Sequence, residues 1–176
     1  MPLPRRIVLS MNPANPQAGQ ATEVDLSEST ILIVDDNQQN LELLQAYLDE
    51  LPSSILTAAD GVEAIEMVEK NTIDLILLDV MMPRMSGFEV CKKLKGSPNT
   101  RSIPIIMVTA LNELGDIERG VESGTDDFLS KPVKKLELLT RVKSLLRVRH
   151  LKRELDRTLA YIDEVNDTSG EPPMGE

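Results

Sequence analysis

The feature that most constrains this chain is an alternation repeated five times. A short run of branched aliphatic residues stops at a polar residue, and an amphipathic stretch follows. Ile31-Leu32-Ile33-Val34 runs into Asp35-Asp36, Ile55 to Ala59 is a weaker run, and Ile73 to Leu78 is stopped by Asp79. Ile103 to Val108 runs into Thr109, and a short run around Asp127-Phe128-Leu129 precedes Lys131-Pro132. Runs of this length and branching read as strands, and their lack of polar alternation means that both faces are covered. Between them, Asn37 caps a helix with Leu41, Leu44, Leu48 and Leu51 on one face. Asp60 opens a second helix with Glu63 three positions on, in the manner of a capping box. Ser86 starts a third, ended by Gly96-Ser97-Pro98, and a fourth spans 113–122. The pattern predicts an α/β fold: a doubly wound, five-stranded parallel sheet with helices on both faces.

Composition sets the limits. Of 176 residues 41% are hydrophobic, enough for a core, but aromatics are 2% and Trp is absent, so that core is aliphatic. Nineteen basic against twenty-nine acidic residues leave a charge of −10, which disfavours nucleic acid as a partner. A single cysteine, Cys91, excludes an internal disulfide, and a single histidine, His150, excludes a His/Cys zinc cluster. No apolar run is long enough to span a membrane, and Ile7-Val8-Leu9 after Arg5-Arg6 is too short for a signal peptide. The expected location is the cytoplasm. Residues 1–28, with four prolines and little periodicity, read as a disordered leader, and 167–176 as a disordered tail.

From Lys134 the pattern is helical for about thirty residues, roughly twice what covering the sheet needs. Val148, Leu151, Leu155, Thr158, Ile162 and Val165 follow a 3-4-3-4-3 spacing, a coiled-coil seam that supports a homodimer. The expected division is therefore a folded domain over 29–148 and a helical extension over 149–166. Residues 134–157 carry nine basic and three acidic side chains, which read as a solvated helix face or as a docking surface for an acidic partner.

The polar residues fall where the strands end. Carboxyl ends of parallel strands share one edge, so Asp35, Asp36, Asp79, Thr109 and Lys131 should converge in one shallow cleft where strand order reverses. Clustered carboxylates repel unless a cation joins them, and hard oxygen ligands with an incomplete shell suit Mg²⁺. A lysine and a hydroxyl beside them are donors for a phosphoryl group. These residues point to Mg²⁺-assisted phosphoryl transfer, with Asp79 as nucleophile at the centre of the sheet.

Over about residues 29–148 the chain resembles the receiver domain of two-component response regulators. The resemblance rests on Asp35-Asp36, Asp79-Val80-Met81-Met82-Pro83 with Ser86-Gly87, Thr109-Ala110, and Phe128 with Lys131-Pro132. The spacings agree as well: 43 residues from Asp36 to Asp79, 30 more to Thr109 and 22 more to Lys131. The resemblance implies a flavodoxin-like (βα)5 fold and a switch rather than an enzyme of metabolism. It implies that Asp79 accepts a phosphoryl group from a sensor histidine kinase or phosphotransfer protein. Asp36, Asp79 and the backbone carbonyl of Met81 would hold Mg²⁺, with Asp35 acting through a water. Lys131 would neutralise phosphoryl oxygens, with a cis bond to Pro132. Thr109 would move to the phosphoryl group and Phe128 turn inward behind it, passing the state to a downstream protein target. Met81 and Leu111 stand where the family orients the hydrolytic water. Both are apolar, which implies a long-lived phosphoryl group.

Two departures are small: Thr125 stands where the family usually has Ala, and Gly120 interrupts the fourth helix. An aspartyl phosphatase of the haloacid-dehalogenase type also uses a strand-end Asp, but needs a second Asp where Met81 stands. A pure dimerisation module with a vestigial receiver is opposed by the intact acidic pair, Asp79, Thr109 and Lys131. The few residues after Lys131 leave no room for a DNA-binding output domain, so the expectation is a stand-alone regulator.

Overall fold

A computed structural model describes residues 25–110 and 114–168, the side chains of 114–116 and 166–168 excepted. The leader to residue 24, the tail from 169 and Leu111 lie outside the described residues.

Five parallel strands form one sheet: β1 (Thr30–Val34), β2 (Ser54–Ala58), β3 (Leu75–Asp79), β4 (Ile105–Thr109) and β5 (Asp127–Ser130). They alternate with α1 (Gln38–Leu48), α2 (Gly61–Lys70), α3 (Gly87–Gly96), α4 (Leu114–Ser123) and α5 (Lys135–Thr168). The strand order is β2-β1-β3-β4-β5, so the chain winds outward in both directions from the β1/β3 pair. Each strand turns alternate side chains to opposite layers. Ile31, Ile33, Leu75, Leu77, Ile106 and Val108 pack against α1 and α5 through Leu41, Leu44, Leu48, Leu138, Val142 and Leu146. Leu32, Val34, Ile76, Leu78, Ile105 and Met107 pack against α2 and α3 through Ala64, Val68, Val90, Cys91 and Leu94. This is the doubly wound α/β sheet that the alternation predicts.

Local details refine the expected boundaries. β3 starts at Leu75 rather than Ile73; just before it Asp74 accepts from the Thr30 amide through its carboxylate at 3.0 Å and donates its own amide to the Thr30 carbonyl at 2.8 Å. β4 starts at Ile105, one residue after Pro104, which has no N–H to give a ladder. Asn37 caps α1 through the amides of Gln39 and Asn40, and Ser86 with Glu89 completes a capping box on α3. At α2 the expected reciprocal pair is not made. Asp60 caps Val62 and Glu63, but Glu63 reaches back to the Ala59 amide at 2.7 Å instead of that of Asp60. Residues 25–28 correct the expected leader: Leu26 packs against the α1/α5 layer, and its carbonyl accepts from the Ser29 amide at 3.0 Å in a turn.

The last helix differs most from its sequence reading. Several of its basic side chains are drawn into contacts within the molecule: Lys135 with Glu50 at 2.5 Å, and Arg141 with both Asp127 oxygens at 2.8 Å. Arg149 donates to Ser102 at 2.7–2.8 Å, His150 meets Ser29 Oγ at 3.0 Å, and Arg153 pairs with buried Asp74. Contacts with the sheet thus run past the expected boundary at residue 148. Every residue from Glu154 to Val165 is exposed, the later positions of the heptad spacing among them.

Candidate functional site

The crevice between β1 and β3 is where strand order reverses, and the polar residues meet there. β1 ends at Val34 and delivers Asp35 and Asp36, while β3 ends on Asp79 itself. Each of the three offers a carboxylate oxygen, and these oxygens lie within 4.8 Å of one another. Asp35 and Asp79 are buried and Asp36 is exposed.

Lys131 follows β5, its amide bonded to the Thr109 carbonyl at 2.9 Å, and its peptide bond to Pro132 is cis. Its ammonium bridges the cleft, donating to Asp35 Oδ2 at 2.9 Å and Asp79 Oδ1 at 3.1 Å. Burial pushes the Asp79 carboxyl above its ordinary value, opposed by the charge and hydrogen bond of Lys131, while Asp35 adds to the rise. Burial lowers the Lys131 ammonium, but the Asp35 hydrogen bond and the Asp79 charge outweigh it and hold the group above its usual value. Three carboxylates against one lysine leave an excess of negative charge on hard oxygens, a donor set that fits Mg²⁺.

Sequence reasoning missed one residue that builds this cleft, Asn40, and gave no packing role to two glycines that it did name, Gly87 and Gly120. Asn40 Nδ2 donates to both oxygens of Asp35, at 3.1 and 3.0 Å, and the Asn37 amide donates to Oδ1 at 2.9 Å. The signal was a second asparagine one helical turn after the cap. Gly87 opens α3 against the end of β3, where a Cβ would fall 2.2 Å from the Asp79 carbonyl oxygen. Gly120 was read as a weak point of α4, yet a Cβ there would fall 2.3 Å from Phe128 Cζ.

Thr109 is buried at the end of β4, and Ala110 beside it is exposed. Thr109 and Phe128 share a cavity of about 100 Å³ with Val80, Phe88 and Ile117. Phe128 is half-buried, its ring against α4 at Gly120. The Met81 amide bonds the Asp79 carboxyl, and its side chain, 64% exposed, stands at the cleft mouth. Thr125 Oγ1 lies 3.0 Å from the Ile105 carbonyl and 3.1 Å from that of Asp127, tying β4 to β5.

A parallel sheet of this order, with an acidic cleft and a bridging lysine at its switch point, defines a class of phosphoryl-accepting switch domains. Residues 31–143 match the family described as response regulator receiver domain, and the chain belongs to that family. Response regulator PleD of Caulobacter vibrioides is 48% identical over 125 residues, 71% of this chain and 28% of PleD. The alkaline phosphatase synthesis transcriptional regulatory protein PhoP of Bacillus subtilis is 43% identical over 117 residues, 66% of this chain and 48% of PhoP. The chain thus spans less than half the length of either relative. Among solved structures, the signal receiver domain of a signal transduction histidine kinase from Syntrophus aciditrophicus has a TM-score of 0.65 at 39% identity. It covers 68% of this chain and 91% of its own. The receiver domain of sensor histidine kinase PA1611 from Pseudomonas aeruginosa PAO1, with a magnesium ion coordinated in its active site cleft, has a TM-score of 0.63 at 32% identity. The match covers 67% of this chain and 97% of that one. This is a signalling protein of the two-component class. No helix among the described residues is long and apolar enough to cross a membrane.

Proposed function

We propose that this chain is a phosphorylation-dependent switch in which Asp79 accepts a phosphoryl group from a phosphohistidine on a sensor kinase or phosphotransfer protein. The observation that carries the reading is the Lys131 ammonium held between Asp79 and Asp35 at 3.1 and 2.9 Å. An Asp79 carboxylate oxygen attacks phosphorus in line. The P–N bond breaks, the imidazole leaves and takes up a proton, and an acyl phosphate remains on Asp79. Asp36, Asp79 and the Met81 carbonyl would hold Mg²⁺, with Asp35 reaching it through a water. Bound there, the ion offsets negative charge on the transferring phosphoryl oxygens. Lys131 holds a further phosphoryl oxygen, and Thr109 closes on the group while Phe128 moves into the space behind it. The altered face of α4, β5 and α5 then meets a downstream protein. Two copies pair through the exposed seam of α5, and the protein works in the cytoplasm.

Acetyl phosphate with Mg²⁺ tests the chemistry. Intact-mass measurement should show one added phosphoryl group, lost in Asp79→Asn and absent without the metal. A modified Asp79→Asn protein would sink the assignment.

A further inference from the structure

The seam on α5 lies on the side of the helix away from the sheet. At about 100° per residue, Leu138, Leu139, Val142, Leu146, Arg149 and Arg153 mark the side packed on the body, and the seam falls opposite. The body therefore cannot cover it. Val148, Leu151, Leu155, Ile162 and Val165 are each about half exposed, so these apolar side chains face water in a single copy.

Charge is unevenly spread along the same helix. Residues 147–157 hold five basic side chains; Arg149 and Arg153 turn to the body, Arg153 against Asp74, which leaves Arg147, Lys152 and Arg157 beside the two acidic ones, Glu154 and Asp156. Residues 158–165 hold no basic side chain and two acidic ones, Asp163 and Glu164. One end of the extension is positive and the other negative. Two copies laid head to tail bring unlike ends together, and two laid side by side bring like ends together.

The positions flanking the seam give the same answer. In parallel pairing Arg147 meets Lys152 of the second copy, twice by symmetry, and Thr158 meets itself. In antiparallel pairing about a two-fold between residues 156 and 157, Val148 meets Val165, Leu151 meets Ile162, and Leu155 meets Thr158. Lys152 then flanks Leu159 and lays its methylene stem over it, while Glu154 flanks Tyr161. Leu159 and Tyr161 are 50% and 68% exposed in one copy, so this arrangement also removes two further apolar side chains from water.

We propose that the second copy docks antiparallel, α5 against α5 over Val148–Val165, with the two sheets at opposite ends of the paired helices. This rests on the dimer reading above and deepens it. The pair would run about 27 Å, holding the two acidic clefts apart and leaving each α4–β5–α5 face open to a different protein.

Disulfide trapping in the full-length chain decides the orientation, because each seam residue is exposed and tolerates replacement. Val148→Cys and Val165→Cys proteins are oxidised separately and then as an equal mixture, with the wild type, whose Cys91 is buried, as control. Antiparallel pairing gives little dimer from either variant alone and about tenfold more from the mixture, as expected when only the mixed pair sits within reach. Efficient self-coupling of each variant, with no gain on mixing, would mean parallel helices and overturn the proposal. So would a dimer that couples in no combination. Lys152→Glu gives an independent reading. It tightens a parallel dimer by pairing with Arg147, but weakens an antiparallel one by bringing a third acid to the Asp163–Glu164 end. A wild-type chain that sediments as a monomer in both phosphorylation states is a different result, and it removes the dimer reading itself.

Discussion

At Gly120 the absence of one methyl group decides where an aromatic ring rests. The residue is a poor helix former, by about 1 kcal/mol relative to alanine, and from sequence that loss reads as a softened helix. The structure gives it a packing role: the Phe128 ring occupies the space a Cβ would need. Gly120→Ala should therefore fail to gain its helix propensity and lose about 1–3 kcal/mol from overpacking, with the Phe128 ring resonances displaced in NMR spectra. A variant more stable than wild type with an unmoved ring would show that the ring does not rest there. Met81 bears on the lifetime of the phosphorylated state. Its exposed thioether offers no strong hydrogen bond to a water attacking at Asp79. Replacing Met81→Asn together with Leu111→Glu should speed loss of the phosphoryl group about tenfold, equal to about 1.4 kcal/mol of barrier. Decay of the radiolabelled acyl phosphate measures it, and an unchanged rate would mean these positions do not set the lifetime.

Among the elements, α5 was the least legible in sequence. Its heptad spacing and its length were readable because both are local patterns. The partners of its basic side chains were not, because Glu50, Asp74, Ser102 and Asp127 lie far away in the chain and only the winding of the sheet brings them near. The strands were readable to within two residues. The start of β4 follows Pro104, which has no N–H for a ladder, while the bonds of Asp74 to Thr30 just before β3 are a tertiary event. The Asp74 contact has a measurable consequence. Arg153→Met leaves a buried carboxylate with the Thr30 amide and only the unbonded charge of Arg149 nearby, and should cost about 3 kcal/mol in urea unfolding, as for a buried pair stripped of one partner. Arg157→Met, one turn further along on a fully exposed stretch, should cost next to nothing. Equal small losses in both would show that the Arg153 contact does not hold the helix down.

For the whole molecule, the acidic cleft could be anticipated because strand ends of a parallel sheet share an edge, whatever the details of packing. Asn40 escaped notice, and so did the packing role of Gly87, because each acts through a close approach that only the folded backbone creates. Assembly is the property that local reading constrains least and the exposed seam constrains most. Under the proposed pairing, Leu155→Asp should give a monomer in light scattering at micromolar concentration where the wild type gives a dimer, while leaving the rate of Asp79 phosphorylation unchanged. A dimer that survives the substitution would place the interface elsewhere.

The Arg153–Asp74 pair also marks where α5 leaves the body of the molecule. The helix starts at Lys135, four residues after the lysine of the cleft, and runs without a break to Thr168. Arg153 stands about 27 Å from its first residue and about 22 Å from its last. The first arm is packed on the sheet through Leu138, Val142 and Leu146 and tied by Lys135, Arg141 and Arg149. The contact with Asp74 sits at the foot of the sheet, on the edge away from the acidic cleft. Any tilt of the packed arm on the sheet is therefore carried along an unbroken helix into the exposed arm.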